Sequence, residues 1–441
     1  MHISGSPTCL IYGLPHPVND KTSLYYFSHT PQDTISMNKL CSVAMVAVML
    51  ASASNAKAYD FASGQLFYNV LSETDGTVEV TQNESGTYSG DIIVPDVVAY
   101  NGKTYTVTRI GDSAFKQSDI TSLRCGNNVT HLSAWCLSGC TKLKSLYITK
   151  SVTNIEADAA GGCSVLRNLV FEPGCGATIG SRAFANCPKF VYMLFPPTVT
   201  CEAQAFASSP CAVEFIGDLK SLNNGIFANV FPANIMLGAA KPPTIGSVKP
   251  FDNKARYYST LYVPRGSRDA YKADSYWGEF ADILEKPFEL TINGSAERVV
   301  STNVNAELTL HLDFTARSDN FSTSNLGVST DDTDIVKVLY TSTDEDGSMN
   351  YKVTGLKDGI AKVYFLYSDS RTVTYTCYVC VGQFAAVHDV TVDTAEPAAY
   401  GVYNLSGVKV ADGMSKDAVN TLPRGFYILV SPQGSTKHIV R

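Results

Sequence analysis

The chain has 441 residues, 45% of them hydrophobic and 17% charged, with a formal net charge of −7 at pH 7. No basic run accompanies that charge, which argues against a nucleic-acid interface and against a polybasic membrane anchor. The length suits roughly two to four domains, and the expected partner is a protein or a glycan.

Residues 37–58 read MNKLCSVAMVAVMLASASNAKA, with one Lys, an apolar run from Leu40 to Leu50 and small residues ending at Ala56-Lys57-Ala58. That three-part layout is a secretory signal peptide, and the apolar run is too short to span a bilayer. Export is expected, starting at Met37 and with cleavage after Ala58. Residues 1–36 lack periodicity and read as a non-native upstream extension.

Residues 59–109 read as short strands and turns, with Asn101-Gly102 between alternating segments marking a hairpin. Such a segment is expected to cap the open end of a repeat array that begins at Ile110. From that residue a degenerate pattern returns at Leu132, Ile155, Ile179, Cys201, Leu222 and Ile245, at spacings of 22, 23, 24, 22, 21 and 23 residues. Its clearest copy is Ile179-Gly180-Ser181-Arg182-Ala183-Phe184, then Cys187, then an extended apolar stretch through Met193, Leu194 and Phe195. A unit that short cannot bury its own apolar face, so the copies must stack into a solenoid. Residues 110–285 are assigned to it, with Ala270, Tyr271, Trp277 and Phe280 as an apolar lid at the far end.

From Pro287 the period changes to two. Leu308, Leu310, Leu312 and Phe314 share one strand face, as do Val363, Phe365 and Tyr367, and Val373, Tyr375, Cys377 and Val379. Turn clusters between them give a small antiparallel sandwich over residues 286–382. A linker over 383–399 leads to a small β-module at 400–441, with two strand pairs expected around Asn404 to Gly407 and Pro423 to Gly425. The fold class is therefore mostly β: solenoid, sandwich, then C-terminal module.

Ten of the twelve cysteines follow the signal segment. Cys140, Cys163 and Cys187 each fall three residues after the hexapeptide, in one inward column, where cysteine packs as a small apolar residue. A bridge between neighbouring coils is geometrically conceivable, and the free packed thiol is the preferred reading. Cys377 and Cys380 lie three apart on a strand, hence on opposite faces, which defeats both a zinc knuckle and a redox pair.

In each coil alternate strand residues point inward, as Leu146 and Ile148 do, and the residues between them face away. The outward columns are Ser145, Asn168, Tyr192, Ala212 and Arg124, Tyr147, Val170, Leu194, Glu214. The candidate ligand-binding residues are Arg124, Tyr147, Val170, Tyr192, Leu194 and Glu214, since they mix aromatic, apolar and charged groups where a solvated sheet favours Thr, Lys and Glu. Two readings stay open: a contact surface for a ligand, or a face that the sandwich covers or that is merely tolerated.

No catalytic residue, metal ligand or cofactor is assigned. His131, His311, His388 and His438 are scattered, with no metal spacing and no GxSxG elbow or phosphate loop nearby. The acidic clusters Asp331-Asp332-Thr333-Asp334 and Asp344-Glu345-Asp346-Gly347 lack EF-hand spacing and read as solvated turns.

The hexapeptides Ile110–Phe115 and Ile179–Phe184 with Cys187, Val199 and Thr200 resemble the BspA-type leucine-rich repeats of Bacteroidetes surface proteins. The flanks Gly102–Gly111 and Leu261–Ser267 with Tyr271 are similar to that family's flanks, so the resemblance covers about residues 60–285 and departs at Ala160, where Phe is expected. Gly355-Leu356-Lys357-Asp358-Gly359-Ile360-Ala361 resembles bacterial Ig-like group 2 domains. Val402–Gly407, Leu422–Ile428 and Lys437–Arg441 are similar to type IX C-terminal sorting domains. These resemblances imply a secreted or outer-membrane surface protein, attached through its tail, that adheres to host or bacterial proteins or glycans without being an enzyme. The alternative is a carbohydrate-handling enzyme or an accessory glycan-binding protein.

Overall fold

The computed structural model describes residues 59–83, 87–222, 225–385, 400–404, 409–423, 425–431 and 434–440. The expected upstream extension and signal segment, and most of the expected linker, lie outside the described residues.

Asn101 and Gly102 both take positive φ, 48° and 78°, as a two-residue hairpin turn requires. They join strand Val97–Tyr100 to Lys103–Ile110, with Tyr100 opposite Lys103. The second strand then runs parallel to His131–Leu132, so the cap hairpin seeds the first ladder of the solenoid. Asn154–Ile155, Thr178–Ile179 and Thr200–Cys201 continue that ladder in register.

Each hexapeptide turns the chain by the same device. Its fourth residue is left-handed in six successive coils: Ser113, Trp135, Asp158, Arg182, Gln204 and Gly225, with φ between 54° and 59°. The residue four further on repeats the conformation, at Gln117, Gly139, Gly162, Asn186, Ser208 and Asn229. Between the two turns the sixth residue buries its side chain, and Phe184, Phe206 and Phe227 stack into an aromatic spine that Phe251, the seventh residue of the next coil, extends, with centroids 5.1–5.7 Å apart. At Ala160 the phenylalanine is missing, yet the position stays buried.

The expected cysteine column is present, and its chemistry is more specific than apolar packing. Cys140 Sγ donates to Phe115 O (2.9 Å), Cys163 Sγ to Leu137 O (3.2 Å) and Cys187 Sγ to Ala160 O (3.5 Å), and Ser209 Oγ donates to Phe184 O (2.7 Å). Each carbonyl belongs to the sixth hexapeptide residue of the preceding coil. A small buried donor at this position satisfies a buried acceptor, which a larger apolar side chain could not do. All three cysteines are free and buried.

The main strands form two parallel sheets, not one. Ser89–Ile93, Asp119–Arg124, Ser145–Ile148 and Asn168–Phe171 pair in the first. Tyr192–Phe195, Ala212–Phe215, Asn234–Leu237, Thr260–Val263 and Asp282–Glu285 pair in the second. The outward columns expected from sequence are therefore interrupted between Phe171 and Tyr192. At the far end Tyr271, Trp277 and Phe280 are buried as expected, with Tyr271 Oη donating to Ala239 O and Trp277 Nε1 to Pro243 O. Ala270 is exposed on helix Arg268–Ala273, contrary to expectation, and Tyr276 takes its place in the lid.

Residues 287–384 form two four-stranded sheets around one core. One orders Glu289–Ile292, Glu307–Thr315, Met349–Gly355 and Val336–Thr343; the other orders Val299–Thr302, Thr372–Val381, Gly359–Ser368 and Leu326–Thr330. Phe288 stacks on Tyr375, and Tyr351 meets Phe365 edge-on across the core. Cys377 belongs to this core while Cys380 faces the other way, as the strand period requires. Gln383 and Phe384, expected in the linker, instead belong to a short 3-10 turn, Gly382–Phe384, with Phe384 buried.

The last described segments make a four-stranded antiparallel sheet of Tyr400–Asn404, Lys409–Met414, Gly425–Ser431 and Gly434–Val440. Gly425–Ser431 and Gly434–Val440 are the second strand pair, with Ser431 opposite Gly434. Between the two strand pairs lies the short helix Lys416–Val419, and strand Gly425–Ser431 begins at the end of the segment around which the second pair was expected.

Candidate functional site

The six candidate residues sit on the outward side of the solenoid strands, as their register requires. Arg124 is opposite Tyr147, Tyr147 opposite Val170, and Leu194 opposite Glu214. None of them is exposed: Tyr147 and Val170 are 0% accessible, Tyr192, Leu194, Arg124 and Glu214 between 3% and 6%. The sandwich covers them. Tyr147, Val170, Tyr192 and Leu194 pack with Ile360, Tyr378, Cys380 and Phe384 from its outer face in one apolar cluster. Burying each large apolar side chain there contributes about 1.5–3 kcal/mol, so the strip is an internal interface and not a free contact surface.

Further along the same columns the two cores merge. Glu214 is opposite Met236, Met236 opposite Tyr262 and Tyr262 opposite Leu284. Met236 and Tyr262 belong to the sandwich core.

Glu214 and Arg298 form the electrostatic centre of the interface. The Arg298 guanidinium donates through Nη2 to Glu214 Oε2, and the Tyr192 hydroxyl donates to the same oxygen. Arg298 Nε also donates to Thr376 O at 3.0 Å, which orients the fork from the sandwich side. Arg298 is 2% exposed and left-handed, with φ 48°. Burial works against its charge, but Glu214 and Tyr192 outweigh that and hold the guanidinium above its ordinary value. Burial first, then the Glu214 carboxylate, pushes the Tyr192 phenol well up, so it stays a donor. A buried pair of this kind specifies geometry more than it adds stability.

A second set of contacts closes the break between the two solenoid sheets. Lys144 N donates to Thr121 O and Arg167 N to Lys144 O, coil by coil, and Ala212 N donates to Val191 O beyond the break. Across it Lys362 Nζ donates to Arg167 O (2.6 Å), Asn168 Nδ2 to Ile360 O (3.0 Å) and Tyr378 Oη to Tyr192 O (3.4 Å). Burial lowers the Lys362 ammonium to about 8, against the pull of Asp331. Arg167 adds an ion pair to Asp332 at 2.9 Å.

The acidic clusters act within the fold. Asp331 Oδ1 accepts from Lys362 N, and Asp344 and Asp346 accept from Asn350 and Ser348 in their turn. Among the described residues no group of three or more His, Cys, Asp or Glu side chains is placed to hold a metal ion.

The covered strip was readable in one feature of the sequence. Strand Thr372–Val381 begins alternating, but Cys377-Tyr378-Val379-Cys380-Val381 is apolar at every position. A strand apolar on both sides is covered on both sides.

Residues 103–212 match the BspA type Leucine rich repeat region in six copies. The coils continue past that match, through Asn234–Leu237 and Thr244–Ile245. No curated protein matches the chain. Among solved structures it is similar to a leucine rich cell surface protein from Faecalibacterium prausnitzii A2-165, at 20% identity and a TM-score of 0.36, over 48% of this chain and 56% of that one. A leucine-rich repeat protein from Bacteroides ovatus ATCC 8483 is similar at 20% identity and a TM-score of 0.33, over 56% of this chain and 66% of that one. The T. pallidum leucine-rich repeat protein gives 16% identity and a TM-score of 0.32, over 40% and 85%. The chain thus spans less than two thirds of the first two. Among the described residues no helix is long and apolar enough to cross a membrane.

Proposed function

We propose that the chain is an exported cell-surface protein that works by recognition of a protein or glycan and not by catalysis. The observation that supports this reading is the BspA-type repeat over residues 103–212, because repetition enlarges a surface without building an enclosed pocket. With its sheet face occupied by the sandwich, the solenoid would present its turn side and its far end to a partner. The two-sheet unit serves as an Ig-like group 2 domain that stiffens the solenoid and spaces it from the cell. The C-terminal sheet acts as a type IX sorting segment, and residues 37–58 direct export.

The test has two arms. Cells making the full chain are compared with cells making a form that lacks residues 400–441, by surface immunolabelling. The full chain should reach the surface and the truncated one should stay in the periplasm; normal display of the truncated chain removes the sorting role. The purified chain is then screened on protein and glycan arrays, where binding to neither class contradicts a recognition role.

A further inference from the structure

The turn side of the solenoid carries a trough of about 660 Å³ lined by five successive coils. Its wall is one column, the left-handed fourth residues of successive hexapeptides: Trp135, Asp158, Arg182 and Gln204. Glycine would take this conformation without strain, and the coil at Gly225 uses it. Each side chain costs about 1–2 kcal/mol there, and for a residue as bulky as Trp a positive φ is a genuine outlier. Backbone strain kept for the sake of a solvent-facing side chain points to function.

The side chains themselves define the chemistry. The chain has two tryptophans; Trp277 is buried within the lid, whereas Trp135 is 48% exposed with Lys116 Nζ 5.9 Å from its ring. Next along the column, Arg182 donates through Nε (3.0 Å) and Nη2 (2.8 Å) to Asp158 Oδ1. Asn186 and Gln204 present exposed side-chain amides to the same trough. Gly161, Gly162, Ala185 and Ala207 keep the floor flat.

We infer that this trough binds a short neutral saccharide chain lying along the solenoid axis. An exposed aromatic face packs against the C–H face of a pyranose, and planar carboxylate, guanidinium and amide groups pair with vicinal hydroxyls. Arg182 is paired with Asp158, so Lys116 beside the Trp135 ring is the one uncompensated charge of the lining, too little to hold a polyanion and compatible with an uncharged sugar. Coils stack at about 4.8 Å, close to the length of one pyranose ring, so each fourth-position side chain meets one ring. The inference rests on the proposed recognition role and supplies its site and ligand class.

The full chain is screened against an array of short neutral oligosaccharides, and hits are titrated by calorimetry for every variant, with tryptophan emission followed in the chains that keep Trp135, which reports on the trough because Trp277 is shielded. Trp135→Gly and Gln204→Gly are compared with the parent, since glycine relaxes the left-handed backbone and so keeps the fold. The expected result is oligosaccharide binding with an emission change, weakened about tenfold or more in each variant, while Trp135→Gly melts no lower than the parent. Oligosaccharide binding that both variants retain overturns the trough and leaves surface recognition standing. Binding to a protein array alone overturns the saccharide assignment, and binding to neither array overturns both readings.

Discussion

Lys362 Nζ donates to the Arg167 carbonyl at 2.6 Å, at the rung where the solenoid's first sheet ends and no strand pairing continues to Tyr192. A side chain from the sandwich thus replaces a missing backbone donor of the solenoid. Lys362 is 1% exposed, so its amine is shielded although burial brings it to about 8. Amine-reactive labelling at pH 8 should modify exposed Lys357 and spare Lys362 until the protein is denatured. Labelling of Lys362 at the rate of Lys357 would show that the rung is open.

Glu214→Ala should cost about 3–5 kcal/mol in urea unfolding, because it leaves the Arg298 guanidinium buried without its partner. The double variant Glu214→Leu, Arg298→Met should recover most of that loss. If the single and double variants are equally unstable, the pair contributes through packing and not through charge.

Two tyrosines of the interface should respond oppositely to loss of the hydroxyl. Tyr192 donates to a buried carboxylate, so Tyr192→Phe should cost about 1.5–3 kcal/mol. The Tyr147 hydroxyl is buried without a hydrogen-bond partner, so Tyr147→Phe should be neutral or stabilising by up to about 1 kcal/mol. Equal losses at both positions would contradict the hydrogen-bond assignment.

How far the sequence carried is clearest in these residues. The repeat spacing placed Tyr147, Val170 and Leu194 on the outward side correctly, because period two on a strand leaves no other choice. It left open whether a ligand or the sandwich lies beyond that side. The covering residues, Ile360, Tyr378 and Cys380, are about 170 to 230 positions away in the chain, and only the loss of alternation at residues 377–381 hinted at them. The break before Tyr192 was invisible too, since the inward pattern continues through Met193 and Phe195 without interruption.

Alkaline pH should destabilise the fold through its buried thiols. Burial pushes Cys125, Cys140, Cys201, Cys211 and Cys377 from the ordinary value of 9.0 up to about 12. The unfolded chain therefore releases these protons first, so the stability is fully present below pH 9 and is lost as pH rises toward 12. Lys362, lowered by burial, acts in the opposite sense: its contribution is present above its ordinary value of 10.5 and is lost as pH falls through about 8. Urea midpoints measured from pH 8 upward should fall beyond pH 9, and a flat profile to pH 11 would mean the thiols are solvated.

The left-handed turns make a backbone prediction. Gly139 has φ 70°, and an added Cβ would stand 3.2 Å from Gln117 Cγ. Gly139→Ala should cost about 1–2 kcal/mol, whereas Gln117→Gly, at φ 57°, should be neutral or stabilising. Thermal melts of the two variants check the sign of each.

The central claim is that the sandwich seals the solenoid's outward strip, which hydroxyl-radical footprinting of the intact chain tests most directly. Tyr257 and Tyr258, each 71% exposed, serve as references against Tyr147 and Tyr192, which are 0% and 3% exposed. A sealed strip predicts rapid modification of the first pair and protection of the second until the protein unfolds. Modification of Tyr147 and Tyr192 at the rate of Tyr257 would contradict the seal and return the strip to the free surface.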